Sequence, residues 1–283
     1  MTATSFTGAR GVRLAADVTG PADGPAVVLW HGGGQTRHSW RDTVAVLAER
    51  GFLTVNVDLR GHGDSGWDPA GDYAMDVVAE DVRAVARSLD RPVALVGASM
   101  GGLAALTAVG ENPDFRCAAL VLVDITPRVD DGGRQQVVDF MRGGLDGFAS
   151  LDEAAAAVSR YLPHRSGNGD VSGLVKNLRR DGDGRYRWHW DPALLDPARL
   201  ERTKGDPHRF ERAAAAVTAP MLLVRGGSSE LVREQDARAF LDVAPHAEYI
   251  EVTKAAHMVA GDRNGEFTDA VTAFLTRTLV SKE

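Results

Sequence analysis

The sequence predicts an α/β fold: one mostly parallel sheet, flanked by helices and interrupted by a single helical insertion. Three observations predict it. Short apolar runs alternate with helical patterns through the first half of the chain. That alternation stops after Asp124 and resumes near Met221. A serine bracketed by glycines, Gly97-Ala98-Ser99-Met100-Gly101-Gly102, stands where an apolar run meets a helical pattern.

The elements follow in order. Residues 26–30, 52–58, 92–97 and 118–124 are continuous apolar runs bounded by Gly, Pro or Asp. Runs without polar alternation suit parallel strands covered on both faces. Between them, residues 40–50, 73–89 and 100–109 carry helical patterns long enough for crossover connections. From about 127 to 218 the chain reads as short helices separated by Gly- and Asp-rich breaks, with no strand. Strand patterns return at 221–225 and 248–252, and a closing helix is expected over 266–281. The simplest division assigns 1–127 and 213–283 to one core and 128–212 to a helical cap.

Composition removes several classes of function. The 283 residues carry 39 acidic and 32 basic side chains, a net charge of −7, so no phosphate-binding surface and no nucleic-acid partner are expected. One cysteine, Cys117, excludes an intrachain disulfide. The opening MTATSFTGARGVRL lacks the apolar core of a signal peptide, so a cytoplasmic protein is expected. The longest apolar run, Cys117 to Val123, is far short of the ~18 residues that span a bilayer, so no membrane partner is expected. His31 and His38 lack metal-ligand spacing, and neither a metal nor a cofactor is expected. Homodimerisation is left open.

The chemistry concentrates in four places. Ser99 sits at a sharp strand-to-helix turn, where the hydroxyl is exposed and glycines two residues either side avoid collision. A serine nucleophile needs a base, and His257 lies in a loop beyond the 248–252 strand, at the sheet edge where Ser99 also opens. His246 reads as surface, and His164, His189 and His208 fall in the insertion, where histidines are commonly solvated or packed. The carboxylate that orients the base is expected to be Glu230, just past the 221–225 strand, because that gives the chain order serine, acid, histidine. Asp124 is the rival, with a turn-capping role before Pro127 as its ordinary explanation. The oxyanion donors are expected from the backbone of Met100 and from Gly33 in His31-Gly32-Gly33-Gly34-Gln35. In the insertion, Trp188-His189-Trp190 supplies two indoles that either line a pocket over Ser99, with Gly34, or pack the cap onto the core.

These residues together closely resemble the α/β-hydrolase fold superfamily, in its serine-nucleophile branch. The matching stretches are His31–Gly34 with Trp40, then Asp58-Leu59-Arg60-Gly61-His62-Gly63-Asp64-Ser65, the Ser99 turn and the His257 loop, about two thirds of the chain. The resemblance implies a cap inserted after the sixth strand, Ser99 as nucleophile, His257 as base, Glu230 as acid, and Gly33 and Met100 as oxyanion-hole amides. It implies a structural role for the 58–65 turn. Serine at the nucleophile position disfavours epoxide hydrolase and haloalkane dehalogenase chemistry, which use Asp there. The expected function is hydrolysis of a small, largely apolar ester, lactone or related acyl substrate through an acyl-enzyme. A C–C bond hydrolase or a cofactor-free perhydrolase of the same fold remains open, as does a non-catalytic ligand receptor using the same pocket.

Overall fold

The computed structural model describes residues 2–161, 174–253, 255–257 and 264–280. The first strands are β1 (Thr2–Thr7), β2 (Arg13–Thr19), β3 (Ala26–Trp30), β4 (Leu53–Val57), β5 (Val93–Ala98) and β6 (Cys117–Val123). A two-stranded hairpin of β7 (Leu178–Arg180) and β8 (Tyr186–Trp188) follows, then β9 (Met221–Gly226) and β10 (Glu248–Val252). Eight of them form one sheet in the order β1-β2-β4-β3-β5-β6-β9-β10. From β4 to β10 every pairing is parallel, and β2 pairs antiparallel with both β1 and β4.

The helices are α1 (Arg41–Glu49), α2 (Met75–Ser88), α3 (Ser99–Gly110), α4 (Asp131–Arg142), α5 (Leu151–Tyr161), α6 (Pro197–Lys204), α7 (Pro207–Ala216), α8 (Glu234–Val243) and α9 (Asn264–Leu279). The strand period of two divides them between the faces. Val27 and Leu29 of β3 pack with Trp40, Leu47, Phe267 and Phe274 of the α1 and α9 side. Val28 and Trp30 pack on the opposite side, with residues of α2, α3, α7 and α8. Every residue of β3 and β4 is buried, which is why these runs show no polar alternation.

All six expected strands form, each within one residue of its expected ends. Three departures have physical causes. β1 and β2 were not marked by the apolar pattern, because β1 is an edge strand that is almost wholly exposed. The insertion after β6 contains the β7–β8 hairpin as well as helices, since three-residue strands are too short to show a period. α7 packs on the core, with Phe210, Ala213 and Ala214 buried among the residues of α3 and β6.

Candidate active site

The parallel strands bring three chain segments to one edge of the sheet. β5 ends at Ala98 and α3 begins at Ser99, whose φ of +47° is left-handed and strained for a residue with a side chain. The turn is tight enough to require both flanking glycines. A Cβ on Gly97 would stand 2.6 Å from the Gly101 carbonyl oxygen, and one on Gly101 would stand 2.5 Å from that of His31. Ala98 pairs with Val123 of β6, so Ser99 and Asp124 leave adjacent strands at the same level.

Asp124 is fully buried and also left-handed, with φ +48°. One carboxylate oxygen accepts the Gly226 N–H at 2.9 Å. The other accepts the Ser229 hydroxyl at 2.5 Å and meets His257 Nδ1 at 2.7 Å. Ser229 is itself fixed by the N–H groups of Leu231 and Val232, at 3.1 and 3.0 Å. A buried carboxylate with this many donors is held in one orientation, and it holds the imidazole in turn.

The expectation that Glu230 orients the imidazole is therefore corrected. Glu230 Oε2 lies 3.4 Å from the backbone N of His257, and the ring pairs with Asp124. Within the Gly226-Gly227-Ser228-Ser229-Glu230 stretch, the buried side chain is that of Ser229, which reaches Asp124. Asp124 needs no loop to approach the histidine, because it extends directly from β6, next to β9 and one strand further from β10 and the His257 loop. Ser229 was not singled out in the sequence. The only hint was its place in a glycine-rich turn after a strand.

The loop after β3 is braced from beneath. Gly32 N–H donates to Gln35 Oε1 at 3.1 Å, and Gly34 N–H donates to His62 Nε2 at 3.1 Å. The amide between them, on Gly33, makes no hydrogen bond among the described residues, and both Gly33 and Met100 line the same cavity as Ser99. Further along, Arg37 N–H donates to Asp58 Oδ1 at 2.7 Å, and the Arg37 guanidinium also reaches Asp17 and Asp64. The 58–65 turn thus supports the Gly32–Gly34 backbone.

Three buried histidines, His31, His62 and His189, form a column in that support, with neighbouring ring centroids 5.3 and 5.9 Å apart and ring planes inclined at 63° and 50°. His31 Nε2 accepts the Leu59 N–H at 2.9 Å, and His189 Nδ1 accepts the Gly63 N–H at 2.7 Å. Accepting nitrogens must be unprotonated, so the column is built for neutral rings. Burial pushes His31 down to about 4 and His62 down to about 3, and carries His189 well below the usual imidazole range. Each ring is thus harder to protonate folded than unfolded. Below about pH 6.5 the unfolded chain binds more protons, so the stability is complete above that pH and is lost as the pH falls toward 4 and 3. Each ring contributes a slope of up to about 1.4 kcal/mol per pH unit. Urea midpoints measured between pH 7 and 4.5 should fall steeply, and less steeply in His62→Gln. A flat profile would contradict neutral burial.

Ser99 lies at the wall of a cavity of about 400 Å³, within the range of small-ligand sites. Its sides are largely apolar, from Met75, Leu103, Ile125, Val137, Val138 and Phe210. Trp188 and Trp190 do not line it, which corrects the pocket reading of that pair. Their rings stack on each other at 5.0 Å, Phe148 meets Trp188 edge-on, and Trp188 Nε1 donates to the Gly143 carbonyl at 2.8 Å. Both are buried within the insertion's own core, beside Met141. Gly34 also faces that core, toward Met141 and Trp190, and not the cavity. The Trp188–Pro192 stretch ties the insertion down: Tyr73 donates to Asp191 at 2.5 Å, and Asp191 N–H donates to the Gly61 carbonyl at 2.8 Å.

The order of strands, the turn at Ser99 and the insertion after β6 agree with a family comparison. The alpha/beta hydrolase fold family matches residues 25–263. The chain belongs to this family. An esterase of Mycobacterium tuberculosis, Rv0045c, is 33% identical over 84% of this hydrolase and 78% of the relative. A 2-(acetamidomethylene)succinate hydrolase of Mesorhizobium japonicum is 28% identical over 87% of this chain and 86% of its own. Among solved structures, that of E-2-(acetamidomethylene)succinate hydrolase superposes with a TM-score of 0.81 at 25% identity, covering 97% of this chain and 98% of its own. The M. tuberculosis esterase superposes with a TM-score of 0.76 at 31% identity, over 97% and 91%. The chain is a hydrolase of this fold. No helix among the described residues is long and apolar enough to cross a membrane.

Proposed function

We propose that this hydrolase is a serine enzyme cleaving a small ester, lactone or related acyl compound, with Ser99, His257 and Asp124 as its triad. The observation that carries the reading is the 2.7 Å contact of His257 Nδ1 with the buried Asp124, one strand over from the strained Ser99 turn. With Nδ1–H committed to Asp124, Nε2 is the nitrogen free to take a proton. His257 removes the Ser99 proton as Oγ attacks the acyl carbon, and the oxyanion is received by the amides of Gly33 and Met100. His257 then protonates the leaving group, and water, deprotonated by the same ring, releases the acid from the acyl-enzyme. Ser229 and Gly226 are assigned to positioning Asp124, and Glu230 to no step.

The relatives support hydrolysis of an acyl compound: one is named an esterase, and another a hydrolase of an acetamidomethylene succinate, whose acyl group is an amide. The test is covalent labelling. A fluorophosphonate probe should modify wild-type protein at Ser99, shown by peptide mass mapping, and chromogenic esters of graded acyl length should be turned over. A protein that neither labels at Ser99 nor turns over any ester or lactone would be a receptor or scaffold instead.

A further inference from the structure

Three arginines line the cavity beside Ser99: Arg128, Arg134 and Arg233. Two of them are committed. Arg128 Nε donates to Glu211 Oε1 at 2.6 Å, and Arg233 donates to Asp236 at 2.9 Å and pairs with Asp130 at 3.0 Å. Their side chains are also about half exposed, 48% each. Arg134 differs on both counts. Its side chain is 26% exposed, and its Nε is buried with no hydrogen-bond partner. The nearest carboxylate oxygen, Asp131 Oδ1, is 3.8 Å from Nε, beyond hydrogen-bond reach, and Asp131 itself is 79% exposed.

A guanidinium N–H buried without an acceptor is uncommon, and a cavity is where a ligand would supply one. The other carboxylate on the wall, Asp236, is occupied by Arg233 through its side chain and backbone N–H. The remaining surface near Arg134 on the same helix is aliphatic, Val137 and Val138. A largely apolar site with one fork-shaped cation, whose Nε makes no hydrogen bond and whose ion pair with Asp131 is long, matches an acyl chain that ends in a planar anion.

We infer that the cavity takes a monoanionic substrate, an ester or related acyl compound bearing a carboxylate, and that Arg134 reads that carboxylate. This rests on the hydrolase reading above and replaces the expectation of a largely apolar substrate. The carboxylate accepts from Nε and one terminal nitrogen of Arg134, while the aliphatic spacer lies on the valines and the acyl carbon is presented to Ser99.

The experiment compares 4-methylumbelliferyl monoesters of succinate, glutarate and adipate with the same chains ending in a primary carboxamide. Wild type should favour the best carboxylate over its carboxamide by about ten- to a hundredfold in kcat/KM, the range of a charge-assisted hydrogen bond. In Arg134→Gln that ratio should collapse toward one, and Arg134→Lys should retain part of it through its point charge. A wild-type ratio at or below one, or an unchanged ratio in Arg134→Gln, overturns the inference. Glutarate alone is the second probe. It should raise the melting temperature of wild type and of Ser99→Ala, and not that of Arg134→Gln. If Ser99 neither labels nor turns over any ester, the hydrolase reading fails and glutarate decides the anion site by itself. A shift lost in Arg134→Gln then supports it, and an equal or absent shift rejects it.

Discussion

Asp124→Asn should lower kcat by about 10⁴ while the protein remains folded. The carboxylate now accepts from Gly226 N–H on one oxygen, and from Ser229 and His257 on the other. An asparagine has one oxygen to offer, and keeping it on Gly226 puts its amide N–H₂ against the ring. His257 Nδ1 must then become the acceptor, which moves the ring proton to Nε2, where it can no longer take the serine's. The Ser229 oxygen already accepts from the N–H groups of Leu231 and Val232, so it has no lone pair left for the new amide and its hydroxyl loses its acceptor; a loss of stability on the order of 1–3 kcal/mol is expected. Glu230→Gln is the control. Its single contact with the His257 backbone is long, 3.4 Å, and an amide oxygen can still make it. Activity within about threefold of wild type is expected there. Steady-state kinetics and thermal melts on the two variants suffice, and the opposite pattern, a dead Glu230→Gln beside an active Asp124→Asn, would return the acid to Glu230.

Ser99→Ala should remove activity more completely, by roughly 10⁶ in kcat, the scale seen when a triad nucleophile is lost. Alanine fits the same strained turn, because the left-handed φ of +47° costs both residues alike and the crowding is borne by Gly97 and Gly101. The melting temperature should stay within a few degrees of wild type. What survives is the contribution of the Gly33 and Met100 amides and of binding, about 10³- to 10⁴-fold over water. Retention of wild-type turnover by purified Ser99→Ala would remove the acyl-enzyme mechanism entirely.

Much of this architecture was written locally. Five of the six parallel strands could be read because they lie inside the sheet and are largely buried on both faces, so their residues are mostly apolar; β5, from Val93 to Ala98, is the clearest, whereas β10 is a partly exposed edge. β1 could not, because an antiparallel edge carries polar residues outward and takes its place from pairing alone, and β2, though paired on both sides, mixes Arg13, Asp17 and Thr19 with small residues. The hairpin in the insertion is stabilised by contacts that its short arginine-rich strands do not announce. Phe148 bridges to Tyr186, and Arg187 pairs with Asp181 and Asp183.

The same division runs through the site. The turn at Ser99 was legible because its requirements are short-range: a strand, a helix and glycines within two residues, all set by steric collisions that sequence spacing states directly. The position of His257 followed from the strand before it. Which carboxylate meets the histidine was not local information, since Asp124 and His257 are 133 residues apart and their contact depends on β6, β9 and β10 lying side by side. Glu230 and Asp124 both follow strands of that edge, and chain order cannot tell them apart. The tertiary structure decided between them through the Gly226–Glu230 loop, which aims a backbone N–H and the Ser229 hydroxyl at Asp124 and leaves Glu230 on the histidine's backbone. The indoles of Trp188 and Trp190 were undecided for the same reason: a large apolar ring states that it will be buried, and only the packing around it states against what.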